Sequence, residues 1–160
     1  MAVDMFLKLD GIDGESRDSK HEGEIEIESF SWGASNSGSA AHGAGGGAGK
    51  VSMQDFSFVT RASKASPQLF LACASGQHIR SGLLTVRSAG ERQEEFLKVT
   101  MSDILVSSWQ QQGSAGDDMP MDQVSMNFAK IRVEYAEQSP GGVLGETTSA
   151  GWDVKANTKF

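Results

Sequence analysis

Residues 24–35 read Glu24-Ile25-Glu26-Ile27-Glu28-Ser29-Phe30-Ser31-Trp32-Gly33-Ala34-Ser35, and the order of apolar and polar side chains in this stretch decides the fold class. Apolar and polar residues alternate, which is the period-two pattern of a strand with one buried face. The pattern then changes phase: Ile25 and Ile27 are odd-numbered, whereas Phe30 and Trp32 are even-numbered. Successive strand side chains point to opposite faces, so a phase change requires a bulge or a strand that buries different faces along its length. The same change occurs in Val51–Thr60, where Val51 and Met53 give way to Phe56 and Phe58. It occurs again in Val124–Tyr135, where Val124, Met126 and Phe128 give way to Ile131, Val133 and Tyr135. Three such changes predict strands that leave one barrel core and meet a second surface, most simply a neighbouring subunit. A barrel whose own bulges absorb the change is the alternative.

Outward from these three, further strands are expected at Val3–Leu9, Leu83–Ser88, Glu94–Met101, Ile104–Gln111 and a short Trp152–Val154. Polar or glycine-bearing turns such as Gly11–Gly14 and Gly113–Asp118 separate them. One helix is well punctuated: Ser66 suits the N-cap, Pro67 the first helical position and Gly76 the position after the last turn. Between them Leu69, Ala72, Cys73 and Gly76 share a face, flanked by Phe70 and Leu71, and no residue is charged. Such a helix is expected to be covered on both sides, as a plug across one end of a barrel. The expected fold is mainly β: a single β-barrel of two packed sheets, one short α-helix and a long extended Gly/Ala-rich loop, all in one domain over residues 1–160.

That loop is Asn36–Gly49, which has neither a charge nor a large apolar side chain and holds six of the 19 glycines. It cannot bury enough surface to fold alone. Fully extended it reaches roughly 45 Å at about 3.3 Å per residue. Residues 1–35 are too few for a self-sufficient core, so the segment is a projecting arm rather than a linker between domains. It is also not a phosphate-binding loop. The P-loop pattern places Gly where Ala44 stands and Ser or Thr where Val51 stands, and a strand rather than a helix follows.

Composition narrows the function. The chain has 160 residues, and 43 of them are Gly, Ser or Pro, close to the composition of disordered chains. A net charge of −7 argues against sequence-independent binding to nucleic acid or to acidic lipid. No apolar run is long enough to span a bilayer, and the acid-bearing N-terminus does not read as a cleaved leader. A single cysteine, Cys73, excludes an intrachain disulfide framework and a multi-cysteine zinc site, and inside the helix it reads as buried, inert packing. His21, His42 and His78 lack metal-ligand spacing. His21 reads as a turn residue entering a strand, and His78 as a cation just past a helix C-terminus. Asp117, Asp118 and Asp122 lack the EF-hand pattern and read as a solvated hairpin, with Met119 and Met121 at an exposed tip. No catalytic residue, metal site or cofactor is expected.

Short motifs in order along the chain carry a resemblance. They are Gly14-Glu15-Ser16 with His21; Ser31-Trp32-Gly33 leading into the Gly/Ala-rich loop; Gly49-Lys50-Val51 with Gln54-Asp55; and Lys64-Ala65-Ser66-Pro67 with Ala72-Cys73 and Gly76-Gln77-His78. They continue through Leu105-Val106-Ser107-Ser108, Met126-Asn127-Phe128-Ala129 with Tyr135, and Gly151-Trp152. On these the sequence resembles the haemolysin-coregulated protein (Hcp) family, the tube subunits of type VI secretion systems, over nearly its whole length.

The resemblance implies a phage tail-tube-like β-barrel that forms a homohexameric ring. Such rings stack into a tube driven by a contractile sheath and tipped by a spike protein, and some members hold small effector proteins in the lumen. It further implies a protein made in the bacterial cytoplasm and then exported or delivered into a target cell without a cleaved signal peptide, and no enzyme activity. Under that reading Ser29, Ser31, Gly33, Asp55 and Ser57, opposite the core-facing aromatics, are the expected lumen-facing residues. Ser35, Ser39, His42, Gly45, Gly47 and Lys50 of the arm, with Met119 and Met121, are the expected subunit or ring-to-ring contacts. The alternatives are a monomeric small-ligand-binding β-barrel and, with no residues to support it, a hydrolytic enzyme.

Overall fold

The computed structural model describes residues 2–38, 50–139 and 143–160. In chain order the elements are β1 (Val3–Leu9), β2 (Ile25–Asn36), β3 (Val51–Arg61), α1 (Ala65–Ser75), β4 (His78–Ser88), β5 (Glu95–Gln112), β6 (Met121–Gln138), β7 (Leu144–Asp153) and β8 (Thr158–Lys159). The strands form one antiparallel sheet in the order β3-β2-β1-β4-β5-β6-β7-β8, and β3 also pairs with β6 from Phe56↔Met126 to Arg61↔Met121. That extra pairing closes six strands into a ring. β6 bonds to β5 along most of its length, to β3 through its first half and to β7 through its second half. The mainly-β class with one short helix is therefore as expected. The expected two packed sheets are one sheet curled on itself, a ring with a β7–β8 wing rather than a regular barrel.

The phase changes have local causes. In β2, Ile27 pairs with Thr60 and Ser29 with Val59, so Glu28 is an extra residue and the side chains beyond it reverse sides. In β3, Ser57 pairs with Ser31 but Gln54 with Gly33, which places the extra residue between them. Across Ile104↔Phe128 and Ser102↔Lys130 the register of β6 with β5 is unbroken, but Asp103 takes a φ of 54°, a backbone kink in β5 about which the buried side changes in both strands, from Met101 to Ile104 and from Phe128 to Ile131. Ile27 and Phe30, Met53 and Phe56, Phe128 and Ile131 thus all belong to or pack against one core. The second surface expected from the phase changes is not needed to explain them; the chain's own bulges and kink suffice.

Other boundaries moved for tertiary reasons. The two expected strands Glu94–Met101 and Ile104–Gln111 are one strand, β5, because the kink at Asp103 bends the ladder without ending it. β4 begins at His78 rather than Leu83, and the short strand expected at Trp152–Val154 is the end of β7, whose polar residues Gly145–Ala150 gave no apolar alternation. α1 ends as expected on Gly76, at φ 67°, with its N–H bonded to the Ala72 carbonyl. Its start differs: the N-cap is Lys64 without a side-chain cap, and Ser66 lies inside the first turn, where its hydroxyl donates to the carboxylate of Asp122. Asp122 is fully buried rather than solvated, and Cys73 is half-buried rather than buried. α1 packs mainly on β5, burying Ala65, Ser66, Leu69 and Ala72. Its opposite stripe, Pro67, Phe70, Leu71 and Ala74, is exposed, so within this chain only one side of the helix is covered.

Candidate functional site

The face of the ring turned away from the core carries a row of small hydroxyls. Ser31 of β2 pairs with Ser57 of β3, Ser57 with Ser125 of β6, and Ser125 with Ser108 of β5. Each is placed there by its neighbours in sequence. Ser57 lies between Phe56 and Phe58, and Ser125 between Val124 and Met126, all four of them buried. Ser57 Oγ and Ser125 Oγ are 2.9 Å apart, one hydroxyl donating to the other. On one side of the row Ser29 and Val59 continue to Gln123 and Gln110 across the same strands. On the other side, Ser107, the extra residue of a bulge in β5, donates from Oγ to Asp55 Oδ2 at 2.5 Å. Asp55 itself falls within the β3 bulge, so the two irregularities place this pair together.

This face offers hydroxyls, amides and one carboxylate. Neutral hydroxyls bind weakly and reversibly, since each bond made to a partner replaces one made to water. Of the five residues expected to face the lumen, Ser29, Ser31, Asp55 and Ser57 lie together on it. Gly33, the fifth, stands opposite Gln54, whose Oε1 would lie 3.0 Å from an added Cβ. Sequence reasoning missed Ser125, Ser107 and Ser108, although Ser125 shows the same alternation, flanked by Val124 and Met126.

Of the expected contact residues, Ser35 and Lys50 are exposed at the base of the arm. Ser39, His42, Gly45 and Gly47 lie outside the described residues. Met119 is exposed on the β5–β6 turn, while Met121 is half-buried and paired with Arg61 and Gln112. Beyond the ring, Gly33–Asn36 and Val51–Gln54 form a two-stranded ribbon: β1 bonds to β2 only at Ile25 and Glu26, and β6 bonds to β3 only from Phe56 onward.

The charged groups form tethers. Arg87, 3% exposed, donates from Nη1 and Nη2 to Asp18 at 2.9 and 2.6 Å and from Nε to Asp4 at 3.3 Å. The Arg87 hydrogen bond holds the Asp18 carboxyl down at about 2, and Asp18 in turn raises Arg87 above its ordinary value. His78, at the start of β4, is exposed and hydrogen-bonded to Asp103 at 2.9 Å, close to the β5 kink. Among the described residues, no group of three His, Cys, Asp or Glu side chains could hold a metal ion. No helix among the described residues is long and apolar enough to cross a membrane.

A closed β-ring with a hydroxyl-rich outer face, one docked helix and a projecting two-stranded ribbon defines the class of fold. The chain matches the family described as type VI secretion system effector, Hcp, over residues 6–135. It is 44% identical over 161 residues to protein hcp1 of Pseudomonas aeruginosa, covering 99% of each chain. Among solved structures it is similar to Hcp1 from Salmonella typhimurium, with a TM-score of 0.85 and 40% identity over 100% of both chains. It is similar also to a type six secretion system protein, with a TM-score of 0.93 and 30% identity over 99% of this chain and 100% of that one. The chain belongs to the Hcp family of type VI secretion proteins.

Proposed function

We propose that this chain is a structural subunit of the type VI inner tube: that it assembles head to tail into a hexameric ring, that rings stack, and that the serine face lines the lumen. The observation that carries this is the ribbon formed by Gly33–Asn36 and Val51–Gln54, which extends past the last strand on either side. An isolated two-stranded hairpin is marginal in water and calls for a further strand or surface. A neighbouring copy supplies one, and the exposed stripe of α1, with Phe70 52% and Leu71 58% exposed, calls for cover in the same way. A heterologous contact that closes on itself gives a ring. Ser35, Ser39, His42, Gly45, Gly47 and Lys50 would then meet the adjacent subunit or the next ring, as would Met119 and Met121 of the β5–β6 turn.

In this reading Ser29, Ser31, Gly33, Asp55 and Ser57 face the lumen and hold small effector proteins loosely enough to release them. The spike protein and contractile sheath are the other partners, and the subunit passes from the bacterial cytoplasm out of the cell or into a target cell. Its role is structural, not catalytic. The ring interior is filled by Phe56, Phe58, Met101 and Met126, all essentially inaccessible to solvent, which supports this over a ligand-binding barrel. Electron microscopy and light scattering of the purified chain test the assembly: rings of six subunits support it, and a monodisperse monomer at micromolar concentration overturns it. Ser57→Tyr and Ser125→Tyr test the lumen. Rings should persist while effector carriage falls; unchanged carriage would place the lumen elsewhere.

A further inference from the structure

Between β1 and β2 runs a loop, residues 13–24, that carries a buried histidine in its last turn. His21 is 7% exposed and its ring stacks on Phe6, centroids 4.4 Å apart and 9° from parallel. Nδ1 lies 3.0 Å from both carboxylate oxygens of Glu24, and Nε2 lies 3.1 Å from Oε2 of Glu95 on β5. A neutral imidazole has one N–H and one lone pair, so it can donate to only one of these carboxylates and would turn a lone pair toward the other. Only the doubly protonated ring satisfies both. We infer that His21 is a pH-sensitive clasp, which ties the 13–24 loop to β5 while both ring nitrogens carry protons and loosens it when one proton leaves.

The surroundings sharpen the switch. From the loop side, Glu24 and Asp18 face the ring; from β5, Glu95, with Lys98 Nζ at 3.8 Å from its other oxygen; from β4 and β1, Arg87 and Asp4, reached across Phe6, whose ring the Arg87 guanidinium covers at 4.8 Å. Two cations against four carboxylates hold this patch together, with Lys98 a more distant third. The loop has other duties. Glu15 accepts from the Lys64 N–H at the start of α1 at 2.8 Å, and Gly14 and Ser16 donate backbone bonds to Gly23 and Glu24. Loosening at His21 would therefore spread from β5 toward the helix start. By linkage, a clasp that needs both ring protons stabilises while His21 is charged and is lost as pH rises and one proton leaves.

The inference concerns the chain itself and stands whether or not the ring reading holds. Its test is amide hydrogen exchange of the full chain across about pH 5.5–8.5, corrected for intrinsic exchange, with β4 amides as internal reference. Protection of residues 14–24 should fall with rising pH relative to β4, by up to about tenfold per pH unit, the limit for one proton. His21→Gln should abolish that dependence, and Glu95→Gln should weaken it. Nitrogen NMR of His21 in the unaltered protein guards against a variant that fails to fold, and should show both ring nitrogens protonated at the acid end of the range. A neutral ring there, or the same pH dependence in His21→Gln as in the unaltered chain, overturns the inference.

Discussion

Arg87 and Asp18 meet as two parallel hydrogen bonds, Nη1 to Oδ2 at 2.9 Å and Nη2 to Oδ1 at 2.6 Å, and this fork is what anchors the middle of the 13–24 loop to β4. Planar two-point pairs of this kind lock geometry as well as charge. Asp18 is held at about 2, below its ordinary 3.8, so its contribution is fully present above 3.8 and is lost as pH falls through about 2. Asp18→Asn should lower the melting temperature at neutral pH. The gap to the unaltered protein should close progressively on acidification through that window, as thermal melts at stepped pH would read. Arg87→Met should be the more harmful change, because it leaves Asp18 and Asp4 without their shared cation.

Ser66 and Asp122 bind the helix to the ring. Asp122 has no accessible surface, and its partners among the described side chains are Ser66 and Gln111, the latter at 2.9 Å. Ser66→Ala removes one of two hydrogen bonds from a buried carboxylate, which costs about 1–3 kcal/mol. Urea unfolding should show this as a lower midpoint at constant slope. A cost of only a few tenths of a kcal/mol, the scale of a surface change, would show that Asp122 is satisfied without Ser66.

Gly14 and Gly82 should respond differently to alanine. A Cβ at Gly14 would lie 2.5 Å from the Glu24 carbonyl oxygen and 2.7 Å from the Ile25 Cα, both backbone atoms that cannot rotate aside. At Gly82 the obstructing atoms, at 2.9 Å, are the side-chain tips Ile104 Cδ1 and Leu9 Cδ2. Overpacking of this kind costs about 1–3 kcal/mol, and Gly14→Ala should fall at or above the top of that range with Gly82→Ala near the bottom. Paired denaturant melts decide the order.

Phe56 is where the β3 bulge delivers its side chain to the core, stacked 5.9 Å from Phe30 and fully buried. Phe56→Ala should cost about 3–5 kcal/mol. Deleting the bulge by removing Asp55 should cost more, because the whole outer end of β3 would then present its opposite face.

Much of this was legible in the residues themselves. The alternation of Ile25 and Ile27, then Phe30 and Trp32, announced the strand and its change of phase, though not that a bulge rather than a second surface absorbs that change, and Gly76 announced where the helix stops. The expectation that Ser29, Ser31, Asp55 and Ser57 share an outward face needed only that alternation. Ser66 could not be placed, because its hydroxyl was drawn from the cap position by a carboxylate 56 residues away. Gly145–Ala150 could not be placed either: the middle of β7 gets its conformation from the β6 ladder, with no apolar pattern of its own.

The sequence alone determined which local structures were available: a period-two chain, a single helix stopped at Gly76, and a glycine-rich segment between two strands. These follow from near-neighbour sterics and from the phase of apolar residues, which act within a few positions. Tertiary structure alone decided what those pieces did together. It closed the sheet through β3 and β6, turned Asp122 inward, lined four serines across four strands, and brought Glu95 to His21 from 74 residues away. Such long-range contacts depend on register and on how buried charges find partners, and no local pattern in the chain encodes either.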